Sequence, residues 1–254
     1  MNSLRLLTLL TLLLGLGQLV QAQAEIPKNV LFVGNSYTYF WNLPQLTGLM
    51  MQSQELPTQT RQSTVGGANW GEHWRGERGL NTLPLIKTGD FDAVVLQNHS
   101  RSAIDRPDSL FHFGQLLTDV IEAEGARVYL YLSWAREWDP YMQAPITEKF
   151  KKLAQKTGAT IVPVGPAWER ARTLRPGFPL YDEDGSHPSI LGTYLTACVF
   201  YGVFTGQSPV GLPRSLRTKD QDGETLVVTI QSGENALFCQ KVAEEIIGKW
   251  MKGN

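Results

Sequence analysis

Short apolar runs that end in small polar clusters recur along this chain, separated by stretches whose apolar positions return at helical spacing. The first run, Val30-Leu31-Phe32-Val33, stops at Gly34-Asn35-Ser36-Tyr37-Thr38, which predicts a buried strand entering a tight polar turn. Leu43 to Met51 then reads as a helix, with Pro44 in its first turn and Pro57 beyond its end. Thr58 to Val65 alternates polar and β-branched residues, as a strand near a sheet edge does. It ends at Gly66-Gly67-Ala68-Asn69. A segment rich in tryptophan, glycine and charge follows from Trp70 to Gly79, then a helix near Leu80 to Thr88.

The motif repeats. Phe91 to Leu96 predicts a third strand emptying into Gln97-Asn98-His99-Ser100, and Arg127 to Leu132 a fourth running into Ser133-Trp134-Ala135-Arg136. Thr160 to Val164 predicts a fifth. Between them lie amphipathic helices at Ser109 to Glu124, stopped by Gly125, and at Ile146 to Thr157, closed by Gly158; Pro166 to Leu174 is a short one. Pro188 to Phe204 is apolar almost all round, which marks a buried helix. Leu226 to Ile230 reads as a late strand and Asn235 to Trp250 as a closing helix. Strands alternating with helices of these lengths imply a parallel sheet covered on both faces.

Composition narrows the setting. Met1 to Ala24 carries one basic residue, Arg5, no acid, a leucine-rich stretch from Leu6 to Leu16, and small residues at Ala22-Gln23-Ala24. This predicts a secretory signal peptide cleaved after Ala24, and so a secreted or periplasmic protein with no membrane segment after cleavage. Residues 25–254 then form a single domain of 230 residues, with no linker, repeat or low-complexity tract to divide it. Losing Arg5 from 23 basic residues leaves 22 against 24 acidic ones. Such a balance argues against nucleic acid as a partner and favours a small-molecule or saccharide substrate. The two cysteines, Cys198 and Cys239, sit in apolar stretches and read as unpaired buried thiols rather than a bridge. Neither has a second cysteine or histidine at ligand spacing, so no metal is expected.

Chemistry concentrates at the strand ends. In an open α/β sheet, ligands bind beyond the carboxyl ends of the strands. Ser36 there is a candidate nucleophile, or else the cap of the next helix. The acidic loop Tyr181-Asp182-Glu183-Asp184-Gly185-Ser186-His187-Pro188 delivers a histidine ahead of the buried helix. Serine hydrolysis needs an imidazole to take the hydroxyl proton and a carboxylate to hold its tautomer, and His187 with Asp184 supplies both from one turn. Asp182 is the other carboxylate within reach. Oxyanion donors are sought at the ends of the second and third strands: the Ser36 N–H, the Gly67 N–H with Gly66 as competitor, and the side-chain amide of Asn98 or of Gln97. His73 and His99 are placed to line a pocket, but neither has a carboxylate three residues before it. Trp70, Trp74, Trp134, Trp138 and Tyr141 fall in predicted loops, where rings stack on sugars or fill a covered core. Arg136, between two of them, is a candidate to meet an acidic group.

With these residues in view, the chain resembles the SGNH hydrolases, also called GDSL-like esterases. Ser36, Gly67, Asn98 and His187 follow the family's order, and Asp184-x-x-His187-Pro188 resembles its last block closely. The resemblance covers nearly all of residues 25–254. It implies a flavodoxin-like three-layer α/β/α sandwich around a central parallel five-stranded sheet, a catalytic triad of Ser36, His187 and Asp184, and no cofactor. Where the family name implies Gly-Asp-Ser-Leu, this chain has Gly34-Asn35-Ser36-Tyr37, similar to a carbohydrate-esterase-like branch. The third block, usually Gly-x-Asn-Asp, reads Gln97-Asn98-His99-Ser100 here, so the amide donor stays open between Asn98 and Gln97. The implied function is a secreted serine esterase that deacetylates a carbohydrate, with Trp70, His73, Trp134 and Arg136 around the substrate. The other readings are a lipid or aryl esterase, and a non-catalytic carbohydrate-binding module on the same fold.

Overall fold

The computed structural model describes residues 25–252; the expected leader, Met1 to Ala24, lies outside them. The elements run β1 (Asn29–Gly34), α1 (Ser36–Tyr39), α2 (Leu43–Gln52), β2 (Gln59–Thr64), α3 (Trp70–Arg75), α4 (Thr82–Thr88) and β3 (Ala93–Leu96). Then come α5 (Ser102–Asp105), α6 (Pro107–Ala123), β4 (Arg127–Tyr131), α7 (Gln143–Thr157), β5 (Thr160–Val162) and α8 (Val164–Leu174). The chain closes through α9 (Ile190–Thr205), β6 (Ser215–Lys219), β7 (Thr225–Ile230) and α10 (Gly233–Lys252).

Five strands pair in parallel in the order β2-β1-β3-β4-β5. The chain winds outward from β1 in both directions, which leaves a crevice at the carboxyl ends of β1 and β3 where the winding reverses. Strand side chains alternate faces, and the core divides accordingly. Val30, Phe32, Val95, Tyr129 and Tyr131 pack under α2, α8, α9 and α10. Leu31, Val33, Val94, Leu96, Val128 and Leu130 pack under α6 and α7. The expected α/β/α sandwich is what forms.

Two local differences from the sequence reading have physical causes. The late strand β7 lies outside the main sheet and pairs antiparallel with β6, whose Ser-Leu-Arg-Thr-Lys buries only Leu216 and gives no apolar run to detect. The segment after Gly67 is helical in part: Asn69 accepts from the Glu72 N–H while the Glu72 carboxylate accepts from the Asn69 N–H, a capping box that starts α3. Cys198 and Cys239 are free and buried, and burial pushes the Cys239 thiol up to about 12.

His73, expected beside the pocket, is instead fully buried in α3. Its Nε2–H donates to the Gly34 carbonyl at 3.0 Å, so its Nδ1 accepts from the Thr82 hydroxyl at 2.7 Å. Thr82 in turn accepts from Ser63 at 2.8 Å. This relay ties β2, α4 and α3 to the end of β1 and leaves neither ring nitrogen free for substrate. Burial disfavours the imidazolium and lowers the His73 pKa to about 4, although the Gly34 bond and the nearby Glu72 carboxylate pull the other way. Between about 4 and the ordinary value near 6.5, the unfolded chain therefore binds a proton that the folded chain refuses. That contribution to stability is complete above pH 6.5 and drains away as pH falls toward 4, amounting to about 3 kcal/mol. Urea unfolding at pH 7 and pH 4 checks it: the wild type loses about 3 kcal/mol more than His73→Gln, and equal losses would remove His73 from the account.

Candidate active site

Ser36 is the first residue of α1, directly beyond β1, and nearly buried. The turn that holds it is bonded on three sides. The Asn35 N–H donates to Gln97 Oε1 at 2.9 Å, its side-chain oxygen accepts from the Tyr37 N–H at 3.1 Å, and its Nδ2 donates to the Ala68 carbonyl at 2.8 Å. Residue 34 has to be glycine for this closeness, because a Cβ there would sit 2.6 Å from Gln97 Oε1 and run into the Thr38 hydroxyl.

The opposite wall is the loop before α9. It is pinched at its base by a Tyr181–Pro188 bridge and by the Asp182 N–H to His187 carbonyl bond at 2.9 Å. Asp184 Oδ1 accepts from the N–H groups of Ser186 (2.9 Å) and His187 (2.8 Å), while Oδ2 lies 2.5 Å from His187 Nδ1. Burial alone would raise the Asp184 pKa, but the bonds from the His187 ring and from the two backbone N–H groups outweigh it and hold the carboxyl below its ordinary value. An ionised Asp184 can only accept, so Nδ1 carries the proton and the Nε2 lone pair of neutral His187 is left free. That Nε2 is 2.9 Å from Ser36 Oγ. Asp182 makes no bond to the ring; its backbone closes the loop.

Aromatic rings fix this geometry. Phe40 stacks on the His187 ring at 4.4 Å and 15°, and Tyr37 meets it edge-on at 5.7 Å. Tyr37 also binds the Ser186 hydroxyl through its own (2.9 Å) and stacks on Trp134 at 4.6 Å, whose Nε1–H donates to the Ser186 carbonyl at 3.0 Å. Neither Phe40, Tyr37 nor Ser186 stood out in the sequence. Their proximity to Ser36 and His187 along the chain was the only signal.

Among the described residues, the N–H groups of Ser36 and Gly67 have no acceptor, and Gly67 (φ +71°) lines the same cleft as Ser36. The two amide candidates part company. Asn98 Oδ1 accepts from Trp70 N–H (3.1 Å), His99 N–H (2.8 Å) and the Ser102 hydroxyl (3.3 Å), which fixes the orientation of the amide and leaves Nδ2 without an acceptor among the described residues. Gln97 is fully buried and does not line the cleft: Oε1 takes Asn35 N–H and the Thr38 hydroxyl, and Nε2 donates one N–H to the Asn98 carbonyl. Gln97 is thus an anchor, not a free donor.

The open cleft of ≈ 460 Å³ is lined by Ser36, Tyr39, Phe40, Gly66, Gly67, His99, Ser100, Arg136 and His187. Arg136 is among the residues that face it. Trp70 does not: it is fully buried in α3 and packs edge-on against Phe150 at 6.2 Å, because α3 turns that ring into the core. Trp134 does not line it either; it is buried between Tyr37 and Trp168 and supports the site from below. Trp138 and Tyr141, by contrast, are 67% and 88% exposed. Among the described residues, no group of three His, Cys, Asp or Glu side chains is placed to hold a metal ion.

Neither a family model nor a curated protein matches this chain. Solved structures do. A candidate SGNH hydrolase from Slackia heliotrinireducens is similar at 24% identity, with a TM-score of 0.62 over 71% of this chain and 99% of its own. A DUF4886 family protein from Bacteroides uniformis is 19% identical, with a TM-score of 0.70 over 87% and 94%. An acetyl xylan esterase is 14% identical, with a TM-score of 0.56 over 69% and 98%. The chain has the fold of the SGNH hydrolases.

The anchoring role of Gln97 is measurable. Gln97→Ala strands the buried Asn35 N–H without an acceptor, and the expected loss is about 1–3 kcal/mol of unfolding free energy. Chemical denaturation reads it directly; an unchanged midpoint would return Gln97 to the list of free donors.

Proposed function

We propose that the protein is a serine ester hydrolase that removes acetyl groups from a carbohydrate through an acyl-Ser36 intermediate. The observation that carries this reading is the unbroken line Asp184 Oδ2, His187 Nδ1, His187 Nε2, Ser36 Oγ, at 2.5 and 2.9 Å. A hydroxyl beside the free lone pair of an oriented imidazole is set for general-base activation. Ser36 Oγ attacks the ester carbonyl as its proton passes to Nε2. The oxyanion that forms is held by the Ser36 and Gly67 N–H groups and the Asn98 amide, all of which lack other acceptors among the described residues. Collapse breaks the bond to the alcohol, which leaves with the proton from Nε2. Water, deprotonated by the same nitrogen, then attacks the acyl-serine carbonyl and releases the carboxylic acid and free Ser36. Asp184 stays ionised throughout and stabilises the imidazolium. Every step uses this chain's own residues and water.

The carbohydrate part rests on two further observations. Trp138 and Tyr141 present open aromatic faces, Trp138 beside the loop that carries His187, and such faces suit the apolar side of a sugar ring. One of the similar folds is that of an acetyl xylan esterase. The leader Met1 to Ala24 supports export to where polysaccharide is met.

Turnover of p-nitrophenyl acetate tests the reaction. Ser36→Ala is expected to abolish it, Asp184→Asn to lower kcat by about 10⁴-fold, and Asn98→Ala by about 10²–10³-fold. Full activity in Ser36→Ala ends the acyl-serine mechanism, and saccharide binding without any wild-type turnover identifies a binding module instead. Rates that rise from acetyl to octanoyl esters would favour the lipid esterase reading over deacetylation.

A further inference from the structure

We propose that Arg136 makes this cleft selective for a sugar that carries a carboxylate, so that the ester it accepts is borne on a uronic-acid residue. The inference deepens the deacetylase reading and rests on it for the reaction, though not for the binding.

Arg136 lines the same cleft as Ser36 and His187 and spends one donor on the protein, from Nη2 to the Ser100 hydroxyl at 2.8 Å. Among the described residues, no carboxylate lies within ion-pair distance of it. Of the nearby charges, Arg101 is forked onto Asp105, Asp184 onto His187 and Glu72 onto the α3 cap, and the Glu137 carboxylate, next in sequence, makes no ion pair with Arg136. Arg172 donates to the Glu137 carbonyl and the Tyr181 hydroxyl, outside the residues that line the cleft. Arg136 is therefore the guanidinium with donors left over where a substrate sits.

Two aromatic rings also lie beside it. The guanidinium carbon lies 5.7 Å from the Tyr37 ring and 5.8 Å from the Trp138 ring. Tyr37 is the residue after the nucleophile, and Trp138 is the exposed ring beside the His187 loop. A guanidinium flanked by two rings and anchored through Ser100, with N–H groups left free, suits bidentate capture of a planar oxyanion. The adjoining exposed ring offers a face to the pyranose. A neutral sugar can use the ring but gives the fork nothing ionic. His99 on the wall beyond adds no negative charge to compete with a bound carboxylate: burial first, then the fields of Arg136 and Arg106, lowers its pKa.

The test measures binding apart from turnover. Methyl glucuronoside and methyl galacturonoside, with methyl glucoside and methyl galactoside as neutral partners, are titrated calorimetrically into the wild-type chain and Arg136→Gln. The uronosides are expected to bind the wild type about tenfold or more tightly than the neutral sugars, and the preference is expected to fall to about one in Arg136→Gln. Matching thermal unfolding of the two proteins establishes that the variant is folded. Equal wild-type affinities, undetectable uronoside binding, or a preference that survives Arg136→Gln each overturns the proposal. Hydrolysis of the acetylated forms of the same sugars is scored separately. Uronoside preference with no hydrolysis removes the esterase and keeps the subsite; equal hydrolysis of acidic and neutral acetates keeps the esterase and removes the subsite.

Discussion

A hydroxyl and an imidazole carried on separate loops, 151 residues apart in sequence, share a 2.9 Å hydrogen bond only if both backbones are denied freedom to drift. Everything around Ser36 and His187 serves that constraint. Loops are the least ordered parts of most folds, and holding reacting groups in register in advance is where much of an enzyme's rate comes from. Here the ordering is done by polar bonds on the Ser36 side and by aromatic contact on the His187 side. The β1 end is held by Gln97, just beyond β3, and by His73 from α3, each buried and each hydrogen-bonded through both polar atoms of its side chain. Both bind groups of the Gly34–Asn35 peptide just before Ser36, so their stiffness passes directly into the position of Ser36.

The His187 side reads its position from the core. Trp168 of α8 donates its Nε1–H to Thr196 of the buried α9 and stacks on Trp134 at 3.7 Å and 3°. Trp134, just beyond β4, stacks on Tyr37, and Trp134 and Tyr37 both bond Ser186, the residue before His187. The pile runs from the interior to the underside of the reacting loop. Burial raises the Tyr37 pKa, so its hydroxyl stays protonated and bonded to Ser186 across the working range. Because α9 begins within three residues of His187 and is buried on nearly every face, the loop cannot shift without disturbing the helix that follows it.

The central strands were legible because they are buried on both faces, which leaves apolar runs no surface residue interrupts, whereas the mostly exposed edge strand β2 was legible only by its alternation. Ser36 and His187 were legible because each follows or precedes such an element at a sharp polar break. Trp70, His73 and Trp134 were misread for a common reason: composition cannot tell a ring in a loop from a ring that a short helix or a strand end turns inward. For Trp70 and His73 the Asn69 and Glu72 pair held the missing information, since a helix starting there puts both residues on its buried face. Gln97 and Asn98, adjacent amides, differ only in which way the chain turns after β3, and nothing local in the sequence encodes that turn. β6 was illegible because it packs a single residue, Leu216, and owes its existence to its partner strand.

The departure from Gly-Asp-Ser-Leu to Gly34-Asn35-Ser36-Tyr37 becomes intelligible in the same terms. A carboxylate at position 35 could accept from the Tyr37 N–H and cap α1, but it could only repel the Ala68 carbonyl oxygen. An amide does both, accepting at 3.1 Å and donating at 2.8 Å. The residue before Ser36 thereby becomes a strut to the turn that carries Gly67, coupling the position of Ser36 Oγ to that of the Gly67 N–H. Tyr37 completes the exchange on the other side of Ser36, where a leucine could fill volume but could not bond Ser186. The tetrapeptide gives up an acidic cap and an aliphatic contact, and gains two polar links to the two other blocks of the site. It follows that neither change is neutral by itself: each is fixed by a partner, Ala68 or Ser186, in a distant segment of the chain.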